Sequence, residues 1–254
     1  MKVIVLGSGT SQGVPIISCK CKVCTSENQR DKRLRASVLI ELQNKTIVID
    51  AGPDFRQQML RENVNNIDAI LITHEHRDHI SGLDDIRPYN FLNRKSIDIY
   101  AEERVQNAIK SEFHYSFGDK KYPGVPKINL NNINSNEKFY IGNIQIIPIR
   151  AYHYKLPVLG YRIENFTYLT DINYIPEEEK VKISGSKYII IDALRKTKNI
   201  SHYSVHEALE VIKEFSPKRA YLTHISHQMG LHDEVNKELP QNVSLAYDGL
   251  KIDC

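Results

Sequence analysis

The segment Thr73-His74-Glu75-His76-Arg77-Asp78-His79 constrains this chain more than any other, because it follows an apolar strand-like run, Ala69–Ile72, without a break. Four candidate ligands, His74, His76, Asp78 and His79, fall within six residues. A strand fixes the root of such a loop, and a turn lets side chains two apart converge on one point. Packing alone gives no reason to gather imidazoles and a carboxylate this densely. The donor set suits zinc, manganese or iron.

A second donor cluster lies near the start. Cys19, Cys21 and Cys24 stand in a C-x-C-x-x-C spacing, and the remaining cysteine, Cys254, is the last residue. Disulfides between such close neighbours would be strained. Three thiolates in one short segment therefore read as part of a structural zinc site, which needs a fourth ligand. His227, three residues past His224 in Thr223-His-Ile-Ser-His227, is the natural candidate.

Short runs rich in Ile, Val and Tyr recur and read as strands: Val3–Leu6, Val38–Leu42, Thr46–Ile49, Ala69–Ile72, Ile97–Tyr100, Ile144–Ile149, Val158–Ile163, Tyr168–Thr170, Tyr188–Ile191, Ala220–Leu222 and Leu245–Tyr247. Helical patterns lie between them. In Ser204–Phe215, Ser204 and Glu207 form a capping box ahead of the apolar stripe Val205, Ala208, Leu209, Ile212 and Phe215. Pro53–Leu60, Gly82–Leu92, Glu102–Phe113 and Ile175–Val181 are further candidates. Strands and helices interspersed in both halves predict an α/β fold of two packed sheets with helices outside. No linker or repeat divides the 254 residues, so one domain over 1–254 is expected. Apolar residues at 41% and charged residues at 26% are a globular balance, and a net charge of +3 is too mild to argue for nucleic acid. There is no run of 18 apolar residues, and Met1–Leu6 reads as strand rather than signal peptide, so a cytoplasmic protein is expected, with no membrane partner. Residues 114–127 read as a surface excursion, a lid or a homodimer contact.

His-x-His-x-Asp-His after a strand resembles the metal-binding signature of the metallo-β-lactamase fold. That resemblance implies a four-layered αβ/βα sandwich with a dinuclear site at one edge of the paired sheets. It also implies later ligands just past strands, which match His153, Asp171 and His224 here. By the same resemblance His74, His76 and His153 hold one divalent ion, zinc or manganese. Asp78, His79 and His224 hold the other, and Asp171 bridges. Two divalent ions carry four positive charges; Asp78, Asp171 and a bridging hydroxide remove three, leaving about one for an anionic substrate group. The Cys cluster, His227 and the segment Gly7-Ser-Gly9-Thr-Ser-Gln-Gly13-Val-Pro15 resemble the cyclic-phosphate phosphodiesterases of phosphonate degradation, where such cysteines and a histidine hold a structural zinc. Read alone, those glycines are spaced G-x-G-x-x-x-G, which is not the dinucleotide-binding spacing.

The implied activity is hydrolysis of a small phosphodiester, a cyclic phosphate foremost, by a hydroxide activated between the ions. The leaving alkoxide needs a proton. His202, on a loop after the strand Tyr188–Ile191, is assigned as general acid or as a stabiliser of the phosphoryl oxygens, and Asp78 counts with the reacting centre. His206 falls on the polar face of the capped helix and is expected in solvent. Asp50 resembles a carboxylate that orients a ligand histidine, or caps the turn that follows it. Arg195 could clamp a phosphate. The tyrosines beside His153 read as packing. Three rivals stand beside this reading: a tRNA 3′-end processing endonuclease, a carboxyl-ester, thioester or lactone hydrolase, and a non-catalytic metal-binding accessory protein of cofactor biosynthesis. For the first, residues 114–127 are short for an RNA-gripping arm and the charge is weak.

Overall fold

The computed structural model describes residues 1–118 and 123–254. The middle of the 114–127 excursion therefore lies outside the described residues. In chain order the elements are β1 (Lys2–Gly7), β2 (Ser37–Leu42), β3 (Lys45–Ile49), α1 (Phe55–Arg61), β4 (Ala69–Leu71), α2 (Arg77–Ile80), α3 (Arg87–Asn93), β5 (Ile97–Ala101), α4 (Glu103–Glu112), β6 (Ile128–Asn132), β7 (Phe139–Ile141), β8 (Ile144–His153), β9 (Leu156–Ile163), β10 (Phe166–Leu169), α5 (Glu177–Ile183), β11 (Tyr188–Asp192), α6 (Val205–Phe215), β12 (Arg219–Thr223), α7 (His232–Glu238), β13 (Val243–Leu245) and β14 (Lys251–Asp253).

They form two seven-stranded sheets, ordered β14-β1-β2-β3-β4-β5-β6 and β13-β12-β11-β10-β9-β8-β7. Each sheet changes from antiparallel to parallel pairing partway across: at β3 in the first and at β10 in the second. The period-two pattern explains the layering. In β1, Val3 and Val5 face the other sheet, where Tyr161, Phe166 and Tyr168 wait, while Ile4 and Leu6 face Phe55 and Met59 of α1. A third apolar layer joins Ile189 and Ile191 of β11 to Ala208 and Ile212 of α6. This is the expected αβ/βα sandwich.

Several local expectations shift. Short strands β6, β7 and β14 escape the run search because each is only three to five residues or is interrupted by Asn. The run at Tyr168–Thr170 is strand from Phe166 and ends at Leu169, and Leu245–Tyr247 closes rather than opens β13. Gly82–Leu92 divides into a 3-10 turn over Leu83–Ile86 and then α3, which Pro88 can open because the first turn needs no N–H there. The capping box of α6 forms as read, with Ser204 as its N-cap. No helix among the described residues is long and apolar enough to cross a membrane.

Candidate active site

The candidate ligands come from the strand ends along one edge of the sandwich. The signature leaves β4 and is anchored to the other sheet before it turns. The Tyr161 hydroxyl donates to the Ile72 carbonyl at 2.6 Å, and the Leu159 N–H donates to the Thr73 carbonyl at 3.0 Å. His74 is fully buried, His76 is the exposed N-cap of α2, and Asp78 and His79 lie within that helix. His153 closes β8, Asp171 lies two residues past β10, and His224 follows β12 directly. Asp50, Asp171 and His224 adopt left-handed φ of 65°, 54° and 57°. Such backbone is unfavourable for residues with a Cβ and collects where function holds it in place.

The side chains converge. His79 Nε2 lies 3.1 Å from an Asp78 oxygen and 3.1 Å from Asp171, and His224 Nε2 lies 3.1 Å from the same Asp171 oxygen. The ligand atoms of Asp78, His79, Asp171 and His224 all lie within 4.8 Å of one another. The His74 ring centroid is 4.6 Å from that of His76 and 6.0 Å from that of His153, with His76 and His153 at 5.3 Å. All seven sequence-derived ligands are therefore neighbours.

Whether this set suits divalent ions is tested by its unmet atoms. Nε2 of His74, Nε2 of His79 and both ring nitrogens of His224 are buried without a hydrogen-bond partner. Donors at about 2.1 Å from a shared ion stand about 3.0–3.4 Å apart, which matches the 3.1 Å spacings. Burial alone would discharge His79, yet Asp171, Asp50 and Asp78 drive it well toward its charged form, so the pocket favours a cation. Burial and the neighbouring His79 hold His74 well below the usual histidine range, with a lone pair free.

Outer contacts aim these rings. Asp50 accepts from His79 Nδ1 at 2.7 Å and from the Thr73 N–H and hydroxyl, and the Thr73 hydroxyl in turn meets His74 Nδ1 at 3.0 Å. One buried carboxylate thus orients two histidines, each with Nε2 pointing to the centre. His153 Nδ1 donates to the Ser201 carbonyl at 3.0 Å.

His202 joins from the loop after β11. Its ring is 4.6 Å from His153 and stacks on His224 at 4.8 Å, and its Nδ1 donates to Asp192 at 2.9 Å. Burial would lower its pKa, but Asp192 prevails and lifts it to about 9. Asp192 and Thr73 were assigned no role from sequence. Asp192 carried the same signal as Asp50, a carboxylate ending an apolar strand. Arg195 is placed differently from a free clamp: its guanidinium bonds Gln228 at 2.6 Å and the Thr197 and Lys198 carbonyls, shaping the loop that carries His202. His206 is exposed, as read. Of the tyrosines beside His153, Tyr152 is half-buried near Tyr174, whereas Tyr154 is 52% exposed and does not serve packing.

The second cluster also assembles. Cys19, Cys21 and Cys24 bring their sulfurs to 3.3, 3.4 and 3.6 Å from His227 Nδ1. A tetrahedral zinc with Zn–S and Zn–N bonds of ordinary length puts sulfur and nitrogen about 3.5 Å apart. Without an ion Cys21 and Cys24 are pushed in opposite directions. A bond from the Cys24 N–H, with His227 assisting against burial, draws Cys21 down to about 6, while burial and its neighbours push Cys24 up to about 11.

Comparison with known proteins agrees with this geometry. Residues 45–225 match the β-lactamase superfamily domain. The chain is 37% identical to a crystal structure of a diphosphatase from the PhnP family, covering 99% of this chain and 96% of that one with a TM-score of 0.93. It is 39% identical over 253 residues to an octanoyltransferase of Porphyromonas gingivalis, matching 99% of this chain but 51% of that protein. A ribonuclease Z of Prochlorococcus marinus is 29% identical over 61% of this chain and 47% of that protein. The chain thus spans about half the length of these curated relatives. Zinc-bound PqqB from Methylobacterium extorquens shares the fold at 18% identity, over the whole of both chains, with a TM-score of 0.77. With a PhnP-family structure matched nearly end to end and the domain model covering the signature through Ile225, the chain belongs to the β-lactamase superfamily and, within it, to the PhnP family.

Proposed function

We propose that this hydrolase cleaves phosphoric diesters, a small cyclic phosphate foremost, with His202 delivering the proton to the departing oxygen. The observation that carries the reading is the His202–Asp192 pair. It supplies a mostly buried imidazole whose Nδ1 is held by Asp192, whose pKa that carboxylate lifts to about 9, and whose ring lies against those of His153 and His224 beside Asp171. Alkoxides leave poorly without a proton, so an acid at this place suits an alkyl diester. The diphosphatase named among the similar structures supports phosphoryl over carbonyl chemistry.

His74, His76 and His153 would hold one divalent ion and Asp78, His79 and His224 the other, with Asp171 between them. Zinc or manganese bound there acidifies water and balances charge developing on the phosphoryl group. Asp50 keeps His79, and through Thr73 also His74, from rotating. Asp192 accepts from His202 Nδ1 and so fixes the ring, leaving the Nε2 proton as the one free to be transferred. The half-buried His153 and exposed His76 mark the open side by which substrate enters.

The diphosphatase relative favours a second reading, in which a P–O–P bond is cut. A departing phosphate needs less help from an acid than an alkoxide does. Turnover of bis(p-nitrophenyl) phosphate by metal-loaded protein tests the chemistry, because nitrophenolate leaves without a proton. A five-membered cyclic alkyl phosphodiester then tests the acid. His202→Ala should lower its kcat about 10²–10⁴-fold, and lower nitrophenyl ester or diphosphate turnover far less. Equal losses on all three would remove the acid role. Absence of phosphodiester turnover alongside ester turnover would replace the reading with a carbonyl hydrolase.

A further inference from the structure

The two halves of the candidate centre are held together differently. Both halves join the signature after β4 to strand ends of the second sheet, but the ligand atoms of Asp78, His79, Asp171 and His224 already lie within 4.8 Å of one another, whereas the rings of His74 and His76 stand 6.0 and 5.3 Å from that of His153. Something must fix the distance across that gap. The ties from Leu159 and Tyr161 reach only the root of the signature, at Thr73 and Ile72.

Arg104, in the first turn of α4, spans the remainder. One arm of its guanidinium pairs with Glu75, the residue between His74 and His76. The other donates to the Pro157 carbonyl at 2.6 Å. Pro157 lies opposite Tyr152 in the β8–β9 ladder, one pair from His153. A planar fork can fix two acceptors at once in a way an ammonium cannot. Both partners of the ion pair are partly shielded, with side chains 35% and 23% exposed. Docking of α4 does not depend on this bond, since Val105 and Ile109 are fully buried and Glu102 pairs separately with Arg150 of β8.

We propose that Arg104 is a positioning residue that sets the separation of His74 and His76 from His153, and so the affinity for one of the two ions. This rests on the dinuclear reading above. The test is titration of metal-stripped protein with Co²⁺ against a competing chelator, for the wild type, Arg104→Ala, Arg104→Lys and Glu75→Gln. Thiolate absorption reports the cysteine-bound ion separately. The wild type should take up two further equivalents. In Arg104→Ala one of these should weaken about 10–100-fold and the other stay unchanged. Glu75→Gln leaves the bond to Pro157 intact and should weaken the same equivalent by less. Lysine, which restores charge but not the fork, should fall between wild type and alanine. Two equivalents unchanged in every variant, or both weakened alike, would overturn the clamp while leaving the centre standing. A wild type that binds a single further equivalent would overturn the centre and the clamp together. Should Arg104→Ala fail to fold, Glu75→Gln and Arg104→Lys carry the same comparison.

Discussion

The histidine–carboxylate centre and the cysteine cluster are built on opposite plans. Ligands of the first stand on strand ends of both sheets; His74, His79 and His224 are almost wholly buried, and Asp50, Thr73 and Ser201 aim the rings. All four groups of the second lie on loops and are only half-buried, the cysteines in the excursion between β1 and β2 and His227 past β12. Little but their own contacts joins the sulfurs. Buried protein contacts hold the first set of groups, whereas a zinc bound to the second, on the proposed reading, would supply most of its closure. The two are nonetheless neighbours along the chain: Ile225, between His224 and His227, pairs with Gly9, and its carbonyl accepts from Thr10.

The largest effect should come from separating them by metal removal. Stripping the centre should abolish turnover and leave the sheets' hydrogen-exchange protection intact, because the donors there are held by protein. Asp171→Asn, which removes the shared carboxylate, should lower kcat by about 10³-fold or more while the cysteine-bound zinc persists. Loss of cooperative folding after stripping the centre alone would contradict its preformed character. Cys21→Ser should behave in the reverse way. About 3 kcal/mol or more of stability should go, seen as a melting point lower by roughly 6–12 °C, with the dinuclear ions retained. An unchanged melting point would mean that the loop closes without zinc.

A smaller break should follow at Gly52. A Cβ there would sit 1.9 Å from the Asp78 carbonyl, and one at Gly82 would sit 2.0 Å from the Gly52 carbonyl. The chain after β3 thus passes flush against the signature helix, and only glycine admits that approach. Gly52→Ala should destabilise by about 1–3 kcal/mol and lower turnover by displacing Asp78 and His79, without release of the cysteine-bound zinc. Zinc loss with turnover intact would reverse the assignment of this contact.

How much of this was legible in the sequence follows the same division. Dense local motifs were: His74 to His79, and Cys19 to Cys24, carry their chemistry in their spacing. His153, Asp171 and His224 were reached only through the resemblance, since a lone polar residue after a strand has no local signature and their meeting is a product of topology. Asp50 was readable either as an orienting carboxylate or as a turn cap, and its 2.7 Å contact with His79 is decided by a parallel pairing of β3 with β4. Arg104 was invisible. On a helix it is an ordinary polar-face residue, and what distinguishes it, the juxtaposition of Glu75 and Pro157, joins positions 29 and 53 residues away. The left-handed backbone of Asp171 and His224 was equally unreadable: Asp and His tolerate that region better than most residues, but no glycine or turn signal marks either position.

The gentlest test concerns acid and falls on the cysteine side. The excursion that carries the thiols is fastened to α7 by a buried knot. His232 donates its backbone N–H to Asp31 at 2.7 Å, and its Nδ1 faces Arg33 Nη2 at 3.2 Å. A guanidinium only donates, so Nδ1 must keep its lone pair. Burial first, and then Arg33 and Arg30 against the weaker pull of Asp233 and Asp31, lowers His232 to about 4. A folded pKa below the free value of about 6.5 means that stability is complete above pH 6.5 and lost as pH falls toward 4. The loss should reach about 3 kcal/mol once the pH is below 4, and part of that by pH 4.5. Asp248, which burial pushes up to about 6, acts in the opposite sense, since it takes up its proton more readily when folded. The net acid slope therefore mixes both groups, and the difference between wild type and His232→Asn isolates one. Asparagine can accept from Arg33 but does not titrate. Denaturant unfolding at pH 7, 5.5 and 4.5 should show the two proteins diverging downward in pH, with the wild type losing more. Parallel pH profiles would show that the knot does not strain against a charged His232, and that acid reaches the cysteine cluster through its thiolates alone.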